Sequence, residues 1–196
     1  IKKGDIRSMR KVLQLLSIVV VGIAVALMLI SPELVLIFGS PKYREAVYVI
    51  PPVAASVFFI FIYNILSMPQ FYYEKTQFLM AASMAAAGAN VVLNFIFIRL
   101  FGYIAAGYTT LACYMLYSVG HYIVSKQILV NEGIQENLMN PGFLLACSVF
   151  LIGASIICNL IFPYRILRYA ILLASAGLVF WKKELLLKTM ADIRKK

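Results

Sequence analysis

The sequence predicts an all-α protein, a polytopic bundle of about six transmembrane helices. Apolar residues make up 63% of the 196-residue chain and charged residues 13%, against roughly 45–50% and 25% in soluble globular domains. The apolar residues fall in long runs that short polar links separate, and basic residues crowd both ends of the chain. A soluble domain of this length cannot hide so much apolar surface from water, so a bilayer is the expected environment.

Six apolar runs are long enough, or nearly so, to cross roughly 30 Å of hydrocarbon as helices. They are predicted at Val12–Ile30 (continued by Leu34–Phe38), Ala46–Met68, Phe78–Ile98, Tyr103–Val124, Gly142–Phe162 and Ile166–Trp181. The second run contains Pro51 and Pro52 near its start. The last run is short, and we expect Arg168 within it to extend to the membrane interface. We interpret residues 1–126 as four transmembrane helices of one lobe, residues 127–181 as two further helices, and residues 182–196 as a basic cytoplasmic tail.

Basic residues are concentrated just outside the first and last runs. The two clusters are Lys2, Lys3, Arg7, Arg10 and Lys11, and Lys182, Lys183, Lys188, Arg194, Lys195 and Lys196. Lys and Arg accumulate on the cytoplasmic side of membrane proteins, so both termini are predicted to be cytoplasmic. The formal net charge of +10 thus follows from membrane orientation, and no nucleic-acid partner is expected. The start at Ile1 is interpreted as a cut within a longer protein.

The apolar runs offer few groups for catalysis or metal binding. Cys113, Cys147 and Cys158 lie inside apolar runs without paired spacing, and His121 is the only histidine. No HExxH motif, Ser-His-Asp set or glycine-rich phosphate loop is present. We therefore expect no catalytic residue, no metal and no cofactor. His121, near a helix end, is interpreted as a hydrogen-bonded residue at a helix interface.

A stripe of small and amide side chains follows the third predicted span. Ala82, Ala86, Asn90 and Asn94 recur every four residues, so they share one helix face. Small residues allow helices to approach closely, and amides in hydrocarbon need polar partners, so the stripe serves either helix packing or a water-filled pathway. In the second case Asn94 is expected to matter more, because it lies nearer Arg99 and the outer mouth.

The fourth predicted span carries an aromatic stripe at helical spacing. It consists of Tyr103, Thr110, Tyr114, Tyr117 and His121. Such a stripe is typical of an ordinary packed face, since aromatic side chains bury well, or of a cavity wall that stacks against sugars.

Three cations lie at predicted outer span ends: Lys42, Arg44 and Arg99. Long basic side chains at span ends extend to the membrane interface. Alternatively, one of them meets an anionic head group, for which arginine is suited because its planar guanidinium binds two phosphate oxygens at once.

Three passages in order resemble the polysaccharide transporters of the MOP flippase superfamily, the Wzx-like group. The first is Ser31–Leu34 followed by Phe38–Ala46, which is similar to the family's turn between two spans. The second is the short link Tyr73–Thr76, and the third is Asn90–Ile98 followed by Phe101–Ala106. The resemblance covers about half of the chain, from residue 31 to about residue 126. The chain departs from the pattern at Arg99, where the family often has proline, and at Ile104, where glycine is usual.

The resemblance implies the C-terminal part of a transporter of about 14 spans that works by alternating access. Such proteins are thought to move a polyprenyl-diphosphate-linked oligosaccharide across the bacterial inner membrane. The implied partners are that lipid-linked oligosaccharide, the lipid bilayer and a missing N-terminal lobe of the same protein. The residues expected along the substrate pathway are Asn90, Asn94, Arg99, Tyr114, Tyr117, His121, Lys42 and Arg44.

Other functions remain open at this point. A drug or cation exporter of the related MATE group needs a carboxylate within a span, and the sequence places its acidic residues at span ends or in loops. A membrane enzyme of polysaccharide assembly tends to have large polar loops or a histidine or acidic residue at mid-membrane. A purely structural membrane subunit is the third alternative.

Overall fold

The computed structural model describes residues 3–181, and all of its regular structure in this range is helical. The helices are α1 (Lys3–Phe38), α2 (Ile50–Tyr72), α3 (Gln77–Phe101), α4 (Ala105–Asn131), α5 (Pro141–Ile161) and α6 (Arg165–Trp181), and a 3₁₀ helix spans Pro41–Tyr48. The all-α prediction is confirmed for these residues. The predicted tail, residues 182–196, lies outside the described range.

Four of the helices are long and apolar enough to cross a membrane. They are Ser8–Phe38, Ile50–Tyr72, Gln77–Phe101 and Pro141–Ile161. Helix α4 has 27 residues, but its tyrosines, threonines, serines and histidine lower its hydropathy. Helix α6 has 17 residues and rises about 25 Å, less than the ~30 Å hydrocarbon layer. Both helices coincide with predicted spans, and the described residues have the character of a membrane protein.

Two predicted boundaries are wrong. The second span was expected to begin at Ala46, whereas α2 begins at Ile50, so Pro51 and Pro52 lie in its first turn. Proline is well tolerated there because the first N–H groups of a helix have no intrahelical acceptor. Helix α4 was expected to end at Val124, whereas it continues to Asn131. The predicted boundary between residues 126 and 127 therefore falls inside a continuous helix.

Successive helices run antiparallel, so the bundle has two ends. The end that holds the start of α1 and the α2–α3 and α4–α5 links is called the proximal end. Here Lys75 pairs with Glu132 at 3.4 Å, and Arg10 Nε donates to the carbonyl oxygen of Asn137 at 2.9 Å. At the opposite, distal end, the Tyr103 hydroxyl donates to the Glu45 carboxylate at 3.0 Å.

Helices α2 and α4 form the most extensive pair, and the other helices pack around them. Gly107 of α4 brings the two backbones together, because a Cβ at this position would lie 2.8 Å from Pro52 Cγ and 3.0 Å from the Val49 carbonyl oxygen. Farther along, the Ser118 hydroxyl donates to the Phe59 carbonyl oxygen of α2 at 2.9 Å. A small residue and an interhelical hydrogen bond are typical devices of helix packing in membranes.

Helix α3 is attached to the bundle almost solely through α4. None of its residues is buried. Its partly buried positions include Ala82, Ala86, Asn90 and Asn94. The stripe read from the sequence is therefore the face that α3 turns toward α4.

A charged contact joins α6 to α1. Arg168, which is 2% exposed, donates from Nη1 and Nη2 to the two oxygens of Glu33 at 2.8 and 2.9 Å. Its Nη1 also donates to the Leu29 carbonyl oxygen at 2.8 Å. We expected Arg168 to extend to the membrane interface. Instead it lies between two helices, because a carboxylate and a carbonyl oxygen of α1 are available to it.

The same region of α1 contains a proline within the helix. Pro32 lacks an N–H group, so the carbonyl oxygen of Met28, four residues earlier, loses its helical donor. The Ser31 hydroxyl donates to that oxygen at 2.8 Å. Serine next to proline thus satisfies the freed carbonyl group, and α1 continues to Phe38 as one helix.

We expect Gly107→Ala to destabilise the bundle, because the added methyl group overlaps Pro52 and Val49. Overpacking of this kind costs about 1–3 kcal/mol, and thermal unfolding in detergent would measure it. Gly88→Ala is the matched control, since a Cβ at Gly88 meets nothing within 4 Å. Equal melting temperatures for the two variants would contradict the close α2–α4 contact.

We expect Arg168→Met to destabilise the chain strongly, because the Glu33 carboxylate loses its arginine partner and keeps only the Tyr169 hydroxyl. Removing one member of a buried pair costs about 3–5 kcal/mol, whereas replacing both members is often tolerated. The double variant Arg168→Met with Glu33→Gln should therefore be more stable than Arg168→Met alone in the same unfolding measurement. A double variant that is less stable than the single variant would contradict the pairing.

Candidate functional site

The amide stripe of α3 forms a short hydrogen-bond chain with α4. Asn94 Nδ2 donates to Asn90 Oδ1 at 2.9 Å, and the Thr109 hydroxyl lies 2.5 Å from Asn94 Oδ1. Both polar ends of the Asn94 amide are thus engaged. Among the described residues, no partner bonds to Asn90 Nδ2, so this group keeps its two N–H donors. Asn94 holds two helices together, while Asn90 has hydrogen-bonding capacity to spare.

The tyrosine stripe of α4 faces the same region. Tyr114 and Tyr117 are joined there by Tyr63 of α2, whose ring is parallel to that of Tyr114 within 5°, with centroids 6.3 Å apart. The rings of Tyr63 and Tyr117 are closer, with centroids 4.6 Å apart. The Tyr117 and Ser83 hydroxyl groups lie 2.5 Å apart and link α4 to α3. The two stripes therefore form opposite walls of one space.

That space is a cleft of ≈ 450 Å³ between α3 and α4, a volume within the ~300–1,000 Å³ typical of small-molecule sites. Its lining consists of Tyr63, Ser83, Ala86, Ala87, Asn90, Val91, Thr110, Cys113, Tyr114 and Tyr117. None of these side chains carries a formal charge at neutral pH. The lining offers an amide, three hydroxyl-bearing aromatic rings and two aliphatic hydroxyl groups, which suits a neutral ligand rich in hydroxyl groups.

His121 lies behind the tyrosines and does not line the cleft. It is fully buried, its Nδ1 lies 2.7 Å from the Gln70 amide nitrogen, and Gln70 is also fully buried. Its ring contacts those of Tyr117, Tyr63 and Phe78, at centroid distances of 4.5, 5.8 and 5.6 Å. The structure thus places His121 at a helix interface with a hydrogen-bond partner.

The predicted cations do not converge on the cleft. Lys42 and Arg44 are exposed on the 3₁₀ helix, and the Arg99 guanidinium lies over the Phe95 ring at 3.9 Å from its centroid. All three lie toward the distal end. Of the eight residues proposed from sequence, only Asn90, Tyr114 and Tyr117 line the cleft.

Tyr103, read from sequence as part of the α4 stripe, lies in the turn before α4. Desolvation, and next its hydrogen bond to Glu45, raise the pKa of the Tyr103 hydroxyl above the ordinary tyrosine value. It therefore remains protonated at neutral pH and continues to donate to Glu45. Its role is to tie the α3–α4 turn to the 3₁₀ helix.

Two residues of this region were not identified from the sequence. Tyr63 and Gln70 belong to α2, seven residues apart and hence on one helix face. Polar or half-polar side chains recurring at that interval in an otherwise apolar span are a usable signal. The partner helix, however, is known only once the helices are packed.

The described part of the chain shows no candidate metal site. Within residues 3–181, no group of three or more His, Cys, Asp or Glu side chains is arranged to hold a metal ion. Cys113 and Cys158 are buried and Cys147 is half-buried, each as a free thiol.

Residues 3–181 thus form an all-helical bundle with several helices suited to crossing a membrane and a neutral polar cleft between two of its helices. Comparisons with protein-family models, curated proteins and solved structures find no match to this chain.

We expect water to occupy the cleft. In a background with the native cysteines replaced, Ala86→Cys should react with a hydrophilic thiol reagent at least about tenfold faster than Met84→Cys, because thiolate formation needs water. Ala86 lines the cleft, whereas Met84 is 72% exposed on another face of α3. Equal rates at the two positions would show that the cleft excludes water or that both faces are equally solvated.

Proposed function

We propose that this chain is part of a membrane transporter that moves a lipid-linked oligosaccharide or polysaccharide precursor across the bacterial inner membrane by alternating access. The observation that carries the proposal is the convergence of the α3 amide stripe and the α4 tyrosine stripe on one uncharged cleft. The resemblance of residues 31–126 to polysaccharide flippases supports the same function.

The chemistry of the cleft suits sugar rings. A saccharide that leaves water must exchange its hydration for protein hydrogen bonds, since unpaired hydroxyl groups in hydrocarbon are costly. The Asn90 amide, the Ser83 and Thr110 hydroxyl groups and the tyrosine hydroxyls provide such partners. The faces of Tyr114 and Tyr117 provide flat apolar surface for the C–H face of a sugar ring.

The diphosphate of the cargo requires a different environment. A doubly charged group needs cations or water, and the cleft lining has no cation. Lys42, Arg44 and Arg99 are exposed toward the distal end, and there they would meet a phosphate at the membrane interface. In this arrangement the sugars occupy the cleft, the diphosphate stays near an interface and the polyprenyl tail remains in lipid.

The proposed orientation places the proximal end in the cytoplasm, with both termini on that side. It follows from the basic clusters at the two ends of the chain. The exposed surface of α3 then faces lipid or the proposed N-terminal lobe of the same protein, the opposing half that alternating access requires.

A cation exporter has less support. Among the α-helices of residues 3–181, Glu33 is the sole acidic side chain outside the first turn of α1. Its carboxylate is occupied by Arg168 and by the Tyr169 hydroxyl, which donates to Glu33 Oε1 at 2.9 Å. A carboxylate held by an arginine is a poor site for a transported cation, so no contact in the bundle favours this alternative.

We expect Asn90→Leu in the full-length gene product to reduce export of the lipid-linked oligosaccharide by about tenfold, the effect of losing roughly 1.4 kcal/mol of hydrogen bonding to the cargo. Surface glycan and precursor trapped on the inner leaflet would measure it at equal protein abundance. Val92→Leu is the matched control, because Val92 is 56% exposed and does not line the cleft.

The variant Asn94→Leu distinguishes the two roles proposed for the α3 stripe, helix packing and contact with the cargo. It breaks the contact with Thr109, so reduced protein abundance is expected along with reduced export. Full export by Asn90→Leu at normal abundance would contradict the proposed role of the cleft.

A further inference from the structure

Behind the tyrosines of the cleft, toward the proximal end, lies a group of polar atoms that the proposed transport does not use. Gln70, His121 and Ser125 are all buried between α2 and α4. Among the residues that the structure describes, Gln70 Oε1, His121 Nε2 and Ser125 Oγ have no hydrogen-bond partner. A buried polar atom without a partner costs about 1–3 kcal/mol. A water molecule in this region would supply the hydrogen bonds that these three atoms lack.

The Gln70–His121 contact depends on the charge of the imidazole. With the amide nitrogen donating to Nδ1 at 2.7 Å, the ring must be neutral, with its proton on Nε2. A charged imidazole carries a proton on Nδ1 as well, so the Gln70 amide has to rotate and present Oε1 instead. Protonation of His121 therefore requires a rearrangement of Gln70 and an acceptor for the Nε2 proton.

Among the described residues, no charged group is in ring contact with His121 to balance an imidazolium. The titratable groups in ring contact with His121 are Tyr63 of α2 and Tyr117 of α4, and α3 contributes the apolar ring of Phe78. Without a carboxylate or water, the charged form is disfavoured by desolvation. Water has to reach the ring before the proton is stable there.

Phe78 is the group best placed to admit that water. It belongs to the first turn of α3, a helix in which no residue is buried, and it covers His121 edge-on. The link before it contains Glu74 in the left-handed region, at φ 56°, a conformation that is strained for a residue with a side chain. The first turn of α3 is thus weakly held and preceded by a strained link.

We propose that His121 is a protonation site behind the tyrosine wall of the cleft, closed by Phe78 when the imidazole is neutral and opened to water when it is charged. Uptake of a proton by His121 displaces the first turn of α3 and connects the cleft with the proximal end. The proposal does not rest on the identity of the cargo.

His121 is the only histidine of the chain, so isotope labelling of histidine reports it alone. The full chain, labelled with ¹⁵N-histidine in lipid nanodiscs, would be followed by NMR between about pH 8 and pH 5. At the upper pH we expect the neutral form with its proton on Nε2. The Phe78→Ala variant should titrate at a pH about one unit higher than the unaltered chain, because water already reaches its imidazole.

Spin labels report the accompanying movement. Labels at Gln77→Cys and Gln127→Cys, both exposed at the proximal end, would be measured in a background with the three native cysteines replaced. Their separation should grow by roughly 2–5 Å, the range of helix shifts in switching proteins. The change should follow the titration of His121, and in a His121→Gln variant, where an uncharged amide remains beside Gln70, the separation should not depend on pH.

Three results would overturn the proposal. One is an equal titration midpoint in the unaltered chain and in Phe78→Ala. Another is a label separation that stays constant while His121 titrates, and the third is a pH-dependent separation in His121→Gln. The histidine and label measurements on the chain with Phe78, His121 and Gln70 intact remain decisive if a variant fails to fold. None of them uses cargo, so their failure is distinct from failure of the transport proposal.

Discussion

The packing of α2 against α4 is the constraint on which the rest of the bundle depends. Gly107 lets the two backbones approach at the distal end, Ser118 bonds to a carbonyl oxygen of α2 in the middle, and Gln70 meets His121 at the proximal end. Because lipid chains are as apolar as leucine, close contact and polar bonds rather than the hydrophobic effect hold such helices together. The polar groups between α2 and α4 therefore stabilise the fold, and the polar groups that line the cleft are the ones available to a ligand.

Polar groups in hydrocarbon need hydrogen-bond partners, and this need also explains the contact between α1 and α6. A proline, a serine, a glutamate and an arginine in apolar segments look unrelated in the sequence, yet they lie together where α6 meets α1. Ser31 serves the carbonyl group that Pro32 frees, and Arg168 bonds to both Glu33 and the next carbonyl oxygen of α1. In hydrocarbon every backbone and charged group needs such a partner. The arginine consequently points into the protein, and a cation that sequence alone assigns to the interface becomes a link between helices.

Hydropathy and helical spacing predicted the helices and the faces of α3 and α4, because both properties are local. The four-residue recurrence from Ala82 to Asn94 identified the face that α3 turns toward α4. Contacts between helices could not be predicted in this way. Helical spacing does not show that Thr109 bonds to Asn94, nor that the Asn90 amide keeps free donors. Likewise, Tyr63 and Gln70 belong to a helix that the sequence marks only as apolar. The predicted start of α2 was wrong because Pro51 and Pro52 fit the first turn of a helix. The predicted end of α4 was wrong because a polar segment continues that helix to Asn131.

The division of charge in the bundle limits how a charged, sugar-bearing lipid can interact with it. The cleft has hydroxyl, amide and aromatic groups but no ion, whereas the cations Lys42, Arg44 and Arg99 lie toward the distal end. A cation buried in the cleft would bind a diphosphate tightly and slow its release, since a desolvated ion pair is strong and costly to separate. A neutral cleft holds sugars by many weak contacts that exchange readily with water. In the proposed transport, weak binding in the cleft and charge near an interface would let the cargo both enter and leave.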